Sequence, residues 1–465
     1  MKEGDTRRFA ELTEWATKHG AYLHPSVEIY NDDTTKFSLR VKESASPLPA
    51  NDAEGFAAVS CPYNITLSYL NALSGGPLPR KETANPTFPP RFMDEVPPHV
   101  IGRFFLVHEY LKDKESFWRP YIATLPQPDQ INSWILPAFW PEEDLDVLEG
   151  TNAHVAVQEI QANVKREFKQ ARKILKEEDF SNWQDYTKML YNWAFCIFTS
   201  RSFRPSLILS EAVRKETSSL LPADCELDDF SVLQPLFDIA NHSMTARYEW
   251  DVSSDPNSCR LICKDSYQPG EQVYNNYGLK SNSELLLGYG FILPETLDLH
   301  NDYVHVRKRG GEQENGDKPK DFLISLEPIT HPGSLLGRSR QLNANASQLH
   351  TLPQFSHVEP ALIYDLAFAM SSDDEKRIIE SLISTDPDPS TAGQVPDVLQ
   401  DLVTRIQQAL YAKVQHDYQL LEATGGMWSA DSDNRNQDLA VEYRQQCEMV
   451  LLAAIRTLSY NLPVQ

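Results

Sequence analysis

Apolar residues recur at helical spacing near the start of the chain. Within residues 6–19 they are Phe9, Leu12, Trp15 and Ala16. Side chains three and four residues apart share one face of an α-helix. The pattern therefore predicts a short amphipathic helix.

Longer stretches with the same period lie further along the chain. Residues 65–73 predict a helix, residues 77–98 a proline-rich loop, residues 152–177 a long charged helix and residues 183–200 a more apolar one. Pro396 suits the first turn of another helix, whose apolar face would hold Leu399, Val403, Ile406 and Leu410. The last predicted helix carries Leu439, Tyr443, Val450, Leu451, Ala454 and Leu458.

Strand-like patterns occupy the first part of the chain and a region past its middle. Residues 27–30 and 37–41 predict two strands joined by a turn, and residues 57–62 predict a third. A further hairpin is expected around the turn at residues 253–257. Together with the helices, these strands indicate a protein of mixed α and β structure.

The composition narrows the class of partner. The 465 residues carry a formal net charge of −23, and 41% of them are hydrophobic. That length suits roughly two to four domains. The acidic balance disfavours binding to a nucleic-acid backbone, which needs clustered lysine and arginine. It favours attraction of a basic partner, although it could equally serve solubility alone.

The cysteines predict neither a metal site nor a disulfide framework. The six cysteines are scattered, at Cys61, Cys196, Cys225, Cys259, Cys263 and Cys447. Since no Cys-x-x-Cys pair is present, we expect no zinc site and reduced intracellular thiols. The polar start of the chain predicts no signal peptide, and no apolar run approaches the ~20 residues that span a bilayer.

Two blocks, residues 236–243 and residues 277–291, are the candidates for chemistry. In the first, an apolar run ends in Asn241 and His242, whose amide and imidazole suit a heteroaromatic or carboxylate ligand. In the second, a Tyr-Gly turn precedes a helix with a capping box at Ser281. Taken by patterning alone, both blocks could also be a buried strand, a loop and a core helix.

The order of the two blocks carries a resemblance to a known family. Asp-x-x-Asn-His-Ser followed by Tyr-Gly-x-Lys-Ser-Asn-x-Glu-Leu-Leu-x-x-Tyr-Gly-Phe resembles the SET-domain protein methyltransferases. The similar class is named for the Rubisco large-subunit lysine methyltransferase and includes fungal ribosomal-protein methyltransferases. The resemblance implies an α+β fold, with a mostly-β SET domain split by a helical insert and followed by an all-helical substrate-binding domain.

The resemblance also implies a division of the chain. Residues 1–100 and 223–310 would form the two parts of the SET domain, the second with the cofactor and catalytic motifs. Residues 101–222 would be the helical insert, and residues 323–465 the helical substrate-binding domain. The composition of residues 309–321, rich in Gly, Glu, Asp and Lys, predicts a domain junction or a mobile loop there.

By the same resemblance, S-adenosylmethionine would be held by Asn241 and His242, with support from Asp238 and Arg201. Tyr277 matches the catalytic tyrosine. No metal is required, because methyl transfer to an amine depends on positioning and desolvation. The alternatives are a core role for the histidine and a surface ion pair for the arginine.

Two further groups of residues complete the implied site. Tyr289 would line the channel for the acceptor side chain, and Phe291 would either line it or pack in the core. The family contacts the cofactor with a Gly-x-Gly strand, for which this chain has Phe37, Ser38 and Leu39 within residues 36–41, with neither glycine.

The resemblance implies S-adenosylmethionine-dependent methylation of a protein side chain, with the lysine ε-amine of a basic ribosomal or histone-like protein as the expected acceptor. Nucleic-acid and membrane partners are not expected, and the location would be cytoplasm, nucleus or both. The alternatives are a catalytically silent SET scaffold, which the missing glycines favour and Tyr277 opposes, and histidine methylation on the same fold.

Overall fold

The computed structural model of the protein describes residues 3–32, 35–48, 55–79, 85–130, 134, 136–294, 302–307, 321–334, 352–384, 395–425, 434–460 and 462. Within these ranges the strands are β1 (Tyr22–Leu23), β2 (Val27–Asp32), β3 (Lys36–Val41), β4 (Phe56–Pro62), β5 (Leu67–Ser68), β6 (Ser202–Phe203), β7 (Val232–Leu233), β8 (Tyr248–Asp251), β9 (Ser258–Cys263), β10 (Gln272–Val273), β11 (Asp302–Arg307) and β12 (Asp321–Ser325).

The α-helices of the same ranges are α1 (Glu3–Lys18), α2 (Tyr69–Ser74), α3 (Pro90–Glu95), α4 (Pro98–Leu111), α5 (Arg119–Ile122), α6 (Glu142–Leu145), α7 (Asn152–Glu177), α8 (Lys188–Arg201), α9 (Pro205–Ile208), α10 (Glu211–Leu220), α11 (Asn282–Tyr289), α12 (Pro360–Met370), α13 (Asp373–Ser384), α14 (Gln400–Gly425) and α15 (Arg435–Leu458). Helix and sheet are thus mixed, which confirms the α+β class.

The chain forms two compact units. The first unit comprises Met1–Trp134 and Gln161–Gly278, and the second comprises Ile135–Ile160 and Leu279–Gln465. The four-part division expected from the sequence remains a prediction. Residues 309–320 of its expected junction lie outside the described residues.

Three small sheets form the β structure of the first unit. Their strand orders are β1-β4-β9-β8, β10-β3-β2 and β5-β7-β6. The two predicted hairpins are confirmed: β2 pairs antiparallel with β3, and β8 pairs antiparallel with β9. In the second sheet β3 is central, because β10 pairs with its other edge through Gln272 opposite Arg40 and Val273 opposite Leu39.

Lys36 begins β3 with a φ of 65°. A non-glycine residue in this left-handed region costs roughly 1–2 kcal/mol. The strand therefore keeps a backbone conformation that favours glycine, although the sequence has a lysine at this position.

Two predictions on local structure were wrong. The helix expected over residues 65–73 begins only at Tyr69, because Leu67 and Ser68 pair with β7. Ser68 instead caps this helix by accepting a hydrogen bond from the backbone N–H of Leu70 at 3.2 Å. The loop expected over residues 77–98 contains α3, whose first residue is a proline and fits the first helical turn.

The helices of the first unit bury a group of aromatic side chains. The Phe104 ring lies 5.4 Å from that of Phe92, 5.8 Å from that of Tyr186 and 5.2 Å from that of Tyr191. These contacts join α3, α4 and α8. Two of these rings, those of Tyr186 and Tyr191, lie within residues 183–200, which the sequence predicts to be an apolar helix.

The second unit buries its own hydrophobic core. This core includes Leu286 of α11, Tyr303 of β11, Ile324 of β12 and the inner faces of α12, α14 and α15. The antiparallel pair β11–β12 belongs to the same unit. The predicted C-terminal helical domain therefore begins within a strand, and its described part is helical only from about residue 353 onward.

Two buried polar residues fasten residues 137–160 to the C-terminal helices within the second unit. Asp144 is 1% exposed and accepts hydrogen bonds from the side-chain amides of Asn434, Asn436 and Gln437. Arg444 of α15 is 7% exposed and donates to four oxygens, namely those of Val147, Glu149, Leu421 and Thr424.

Arg444→Met should destabilise the second unit. The change orphans several buried carbonyl oxygens, and each orphaned acceptor costs about 1–3 kcal/mol. We expect the free energy of unfolding to fall by about 3 kcal/mol or more, seen as a lower melting temperature. The matched control is Arg435→Met on the same helix, where the side chain is exposed. Equal melting temperatures for the two variants would contradict the role assigned to Arg444.

Candidate functional site

Two segments far apart in sequence lie side by side in the first unit. Asn275 donates its backbone N–H to the Asn241 carbonyl at 2.8 Å, and Ser243 donates its backbone N–H to the Asn275 carbonyl at 2.9 Å. His242 and Asn275 thereby form a parallel β-bridge. The bridge brings the Asn-His-Ser block directly beside the chain that leads into Tyr277.

Tyr277 is held by the first block through backbone and side chain. Its N–H donates to Nδ1 of His242 at 3.0 Å, and its hydroxyl donates to the Ala240 carbonyl at 3.0 Å. The two rings stack, with centroids 5.0 Å apart and planes 18° apart. Because Nδ1 accepts, the proton of the neutral imidazole is on Nε2. The turn after Tyr277 uses Gly278, whose φ of 98° favours glycine.

Arg201 and Asp238 form an ion pair behind this tyrosine. Arg201 is the last residue of α8, and its Nη1 lies 3.3 Å from Oδ2 of Asp238. Tyr121 of α5 donates its hydroxyl to the same oxygen at 2.9 Å. The carboxylate side chain is 1% exposed and the arginine side chain 30%, so the arginine reaches from a buried anion toward solvent.

The charges in this group act on one another. Burial raises the pKa of the Asp238 carboxyl, and the opposing effects of Arg201 and Tyr121 offset this only in part. Burial lowers the pKa of Arg201, but Asp238, Tyr121 and Tyr277 together raise it above its usual value. The Tyr277 side chain is therefore close enough to feel the guanidinium charge.

The backbone turn that presents Asp238 is strained. Leu236 is fully buried and has a φ of 68° and a ψ of −42°. Such conformations in non-glycine residues cost of order 1–3 kcal/mol and persist where the surroundings impose them. The one-turn 3-10 helix Phe237–Ile239 follows directly and aims Asp238 at Arg201.

A second group of polar side chains joins the Asn-His-Ser block to the strand β3. Ser38 donates its hydroxyl to Oε1 of Gln272 at 2.7 Å, and Asn241 donates its side-chain N–H to the same oxygen at 3.0 Å. Gln272 in turn donates to the Tyr30 hydroxyl at 2.9 Å. The structure thus brings Ser38 and Asn241 together through a residue that the sequence did not single out.

The neighbours of Ser38 on β3 lie differently. The Phe37 ring packs 4.4 Å from that of Phe9, and Leu39 is fully buried. Both side chains therefore serve packing.

Tyr289 and Phe291 belong to the second unit. Their ring centroids are 6.3 Å apart, and the Lys280 ammonium lies 5.8 Å from the centroid of the Tyr289 ring. The predicted capping box is confirmed, with Ser281 capping α11. The structure brings these two aromatic rings together at the end of that helix.

Three residues of the two polar groups escaped the sequence analysis: Tyr30, Tyr121 and Gln272. The sequence assigned a site role to none of them, and each is a polar residue in a strand or helix. Their roles arise from contacts across long sequence separations, which periodicity does not report. Within the described ranges, no group of His, Cys, Asp and Glu could hold a metal ion, and no helix is long and apolar enough to cross a membrane.

No protein-family model matches the chain. It is 28% identical over 316 residues to the ribosomal lysine N-methyltransferase set10 of Schizosaccharomyces pombe, covering 66% of this chain and 51% of that protein. It is 22% identical over 313 residues to the protein-lysine N-methyltransferase EFM1 of Saccharomyces cerevisiae, covering 60% of this chain and 48% of that protein. The chain therefore matches about half the length of these two relatives.

The structure is similar to the crystal structure of the SET domain of LSMT bound to lysine and AdoHcy. The TM-score is 0.63 at 18% identity, and the match covers 98% of this chain and 91% of that one. The chain therefore has the SET-domain fold of LSMT. These comparisons confirm the resemblance to the SET-domain lysine methyltransferases.

Tyr121→Phe should lower the stability of the protein, because it removes the hydrogen bond from Tyr121 to the Asp238 carboxylate. Removing one buried hydrogen bond to a carboxylate costs about 1–3 kcal/mol, so the melting temperature should fall by several degrees. The control is Tyr110→Phe, since the Tyr110 ring packs on Trp193 and no described residue forms a hydrogen bond with its hydroxyl. If Tyr121→Phe melts with the control, the hydrogen bond contributes nothing to stability.

Proposed function

We propose that the protein is an S-adenosylmethionine-dependent protein-lysine N-methyltransferase. The proposal rests on the contacts by which the first block, residues 236–243, fixes the position of Tyr277. Three contacts fix this tyrosine: the hydrogen bonds to His242 and Ala240 and the stacked imidazole. A hydroxyl fixed in this way beside a cationic side chain suits a positioning role in amine chemistry.

The donor set of the first unit fits S-adenosylmethionine. Asn241 offers an amide, Arg201 a partly exposed guanidinium, and β3 backbone groups next to Ser38. Oδ1 of Asp238 and Nδ2 of Asn275 are buried and have no hydrogen-bond partner among the described residues, which indicates further capacity for a polar ligand or water. We assign cofactor binding to Asn241 and His242, with support from Asp238, Arg201 and the strand residues 37–39.

When bound, the cofactor supplies an electrophilic methyl group on a positively charged sulfur. The acceptor lysine must arrive without its proton, because a free ammonium has a pKa of about 10.4. The positive charge of Arg201 and the limited solvation of the pocket both disfavour a second cation there. We assign Tyr277 the catalytic role of orienting the neutral amine through its hydroxyl oxygen.

Substrate binding is assigned to Tyr289 and Phe291, with the C-terminal helices as the docking element for the substrate protein. The net charge of −23 supports a basic substrate. A ribosomal protein is the first candidate, in keeping with the name of the Schizosaccharomyces pombe relative, and a histone-like tail is the second. Such substrates place the enzyme in the cytoplasm, the nucleus or both.

Lysine is preferred to histidine as acceptor because both relatives described above are named for lysine methylation. The scaffold alternative rested on the missing glycines of the strand. Lys36 has a φ of 65°, a conformation that favours glycine, and Tyr277 is held by the contacts described above, so enzymatic activity is the better proposal. Amino-acid analysis of the methylated product separates lysine from histidine.

Tyr277→Phe should lower kcat by about a hundred- to a thousandfold, since loss of one positioned hydrogen-bonding group in an active site can cost ~2.7–4 kcal/mol. Cofactor affinity should remain within a few fold. The measurement is single-turnover transfer of labelled methyl groups to a ribosomal-protein fraction, beside titration with S-adenosylmethionine. Tyr248→Phe, a half-buried tyrosine of β8, is the control.

A Tyr277→Phe protein with wild-type turnover would remove the catalytic assignment. A wild-type protein that binds the cofactor and methylates nothing in a complete cell extract would instead favour the scaffold.

Methylation of a basic protein should slow as salt rises. Exposed charges are screened beyond ~8–10 Å at physiological ionic strength, so kcat/KM should fall between low and moderate salt while kcat at saturation changes little. The measurement compares the salt dependence of kcat/KM for the ribosomal-protein fraction with that for a short neutral peptide that contains the acceptor residue. The same salt dependence for both substrates would argue against electrostatic attraction of the whole protein.

A further inference from the structure

Gln272 is the common partner of two residues in the proposed cofactor site. Its side-chain carbonyl accepts from the Ser38 hydroxyl at 2.7 Å and from the Asn241 amide at 3.0 Å. Its own amide donates to the Tyr30 hydroxyl at 2.9 Å. Both ends of the Gln272 amide are therefore satisfied, and its orientation is fixed by donors on one side and an acceptor on the other.

The hydrogen bond to Gln272 fixes the orientation of the Asn241 side-chain amide. An asparagine amide has a donor end and an acceptor end, and either can face a ligand. Here the donor end is directed at Gln272. None of the described residues donates a hydrogen bond to Oδ1 of Asn241, so the acceptor end is available to an N–H or O–H group of a ligand.

Ser38 contributes to the same orientation. The residue is fully buried. Oε1 of Gln272 accepts two hydrogen bonds, and the one from the Ser38 hydroxyl is the shorter. A glycine at this position could not supply that bond. The serine therefore adds a polar contact at the strand where the resembling family has Gly-x-Gly.

We propose that Gln272 is a positioning residue for the cofactor, which acts by turning the acceptor end of Asn241 toward S-adenosylmethionine, with Ser38 holding Gln272 in place. The proposal rests on the proposed function. It assigns specificity for a cofactor group that donates a hydrogen bond, such as an amino group. Gln272 itself need not touch the cofactor.

The test uses the full chain and isothermal titration with S-adenosylmethionine. Gln272→Met keeps the length of the side chain and removes its hydrogen bonds, so Asn241 can rotate. The dissociation constant should rise about tenfold, which corresponds to ~1.4 kcal/mol. Gln272→Glu keeps an oxygen that accepts from Ser38 and Asn241, and the Tyr30 hydroxyl can then donate instead, so affinity should return to within about threefold of wild type.

Two further variants complete the design. Gln268→Met makes the same chemical change at an exposed residue before β10 and should bind like wild type. Ser38→Ala removes one donor and should weaken binding about threefold; it carries the test if Gln272→Met does not fold. Asn241→Ala sets the affinity that remains when the positioned amide is absent.

The outcomes separate a positioning role from a structural one. The proposal predicts that Gln272→Met raises KM for the cofactor and leaves both kcat and KM for the protein substrate nearly unchanged. It is overturned if Gln272→Met binds like wild type, or if Gln272→Glu is as weak as Gln272→Met at an equal melting temperature. If wild type itself does not bind S-adenosylmethionine, the proposed function fails first, whatever the variants do.

Discussion

The bridge between residues 241–243 and residues 274–276 is the contact on which the first unit depends. Two backbone hydrogen bonds join Asn275 to Asn241 and Ser243, and the side chain of Asn275 accepts from Trp250 at 3.0 Å and from the backbone of Asn276 at 2.8 Å. These two bonds define the register in which the two segments lie side by side. Every contact of Tyr277 with the first block follows from that register.

Two groups of polar side chains lie near this bridge, and one is charged whereas the other is neutral. The Arg201–Asp238 pair is buried at its anionic end, so removing one partner would leave a charge without compensation, which is far costlier than losing a surface ion pair. The Ser38–Gln272–Asn241 group is neutral and makes directional bonds. The first group thus holds a buried ionic pair, and the second directs the donor end of the Asn241 amide to Gln272.

In the second unit, buried polar contacts join segments that are far apart in sequence. Residues 137–160 are separated by more than 100 residues from the helices that they contact within this unit. Asp144 and Arg444 join them through side-chain amides and backbone carbonyls, and Tyr443 adds a hydrogen bond to Asn152 at 2.7 Å. Buried polar contacts of this kind specify one arrangement, because any slip leaves donors or acceptors unsatisfied.

The sequence by itself determined several of the local elements. The period of apolar residues located α1, α7 and α15, since helix geometry is a local property of consecutive residues. The turn between β8 and β9 and the cap at Ser281 were likewise readable from neighbouring residues. The order of the two blocks was enough to indicate the family and the α+β class.

Only the tertiary structure decided which polar residues cooperate. No local pattern assigned a site role to Gln272, Tyr30 or Tyr121, because a hydrogen bond across more than 100 residues depends on how strands and helices are brought together. The short strand β5 replaces the first residues of the predicted helix because of a long-range contact. Pairing with β7 satisfies the backbone groups of Leu67 and Ser68, which the local pattern assigned to the helix. Local propensity is worth tenths of a kcal/mol per residue, and long-range pairing and burial outweigh it.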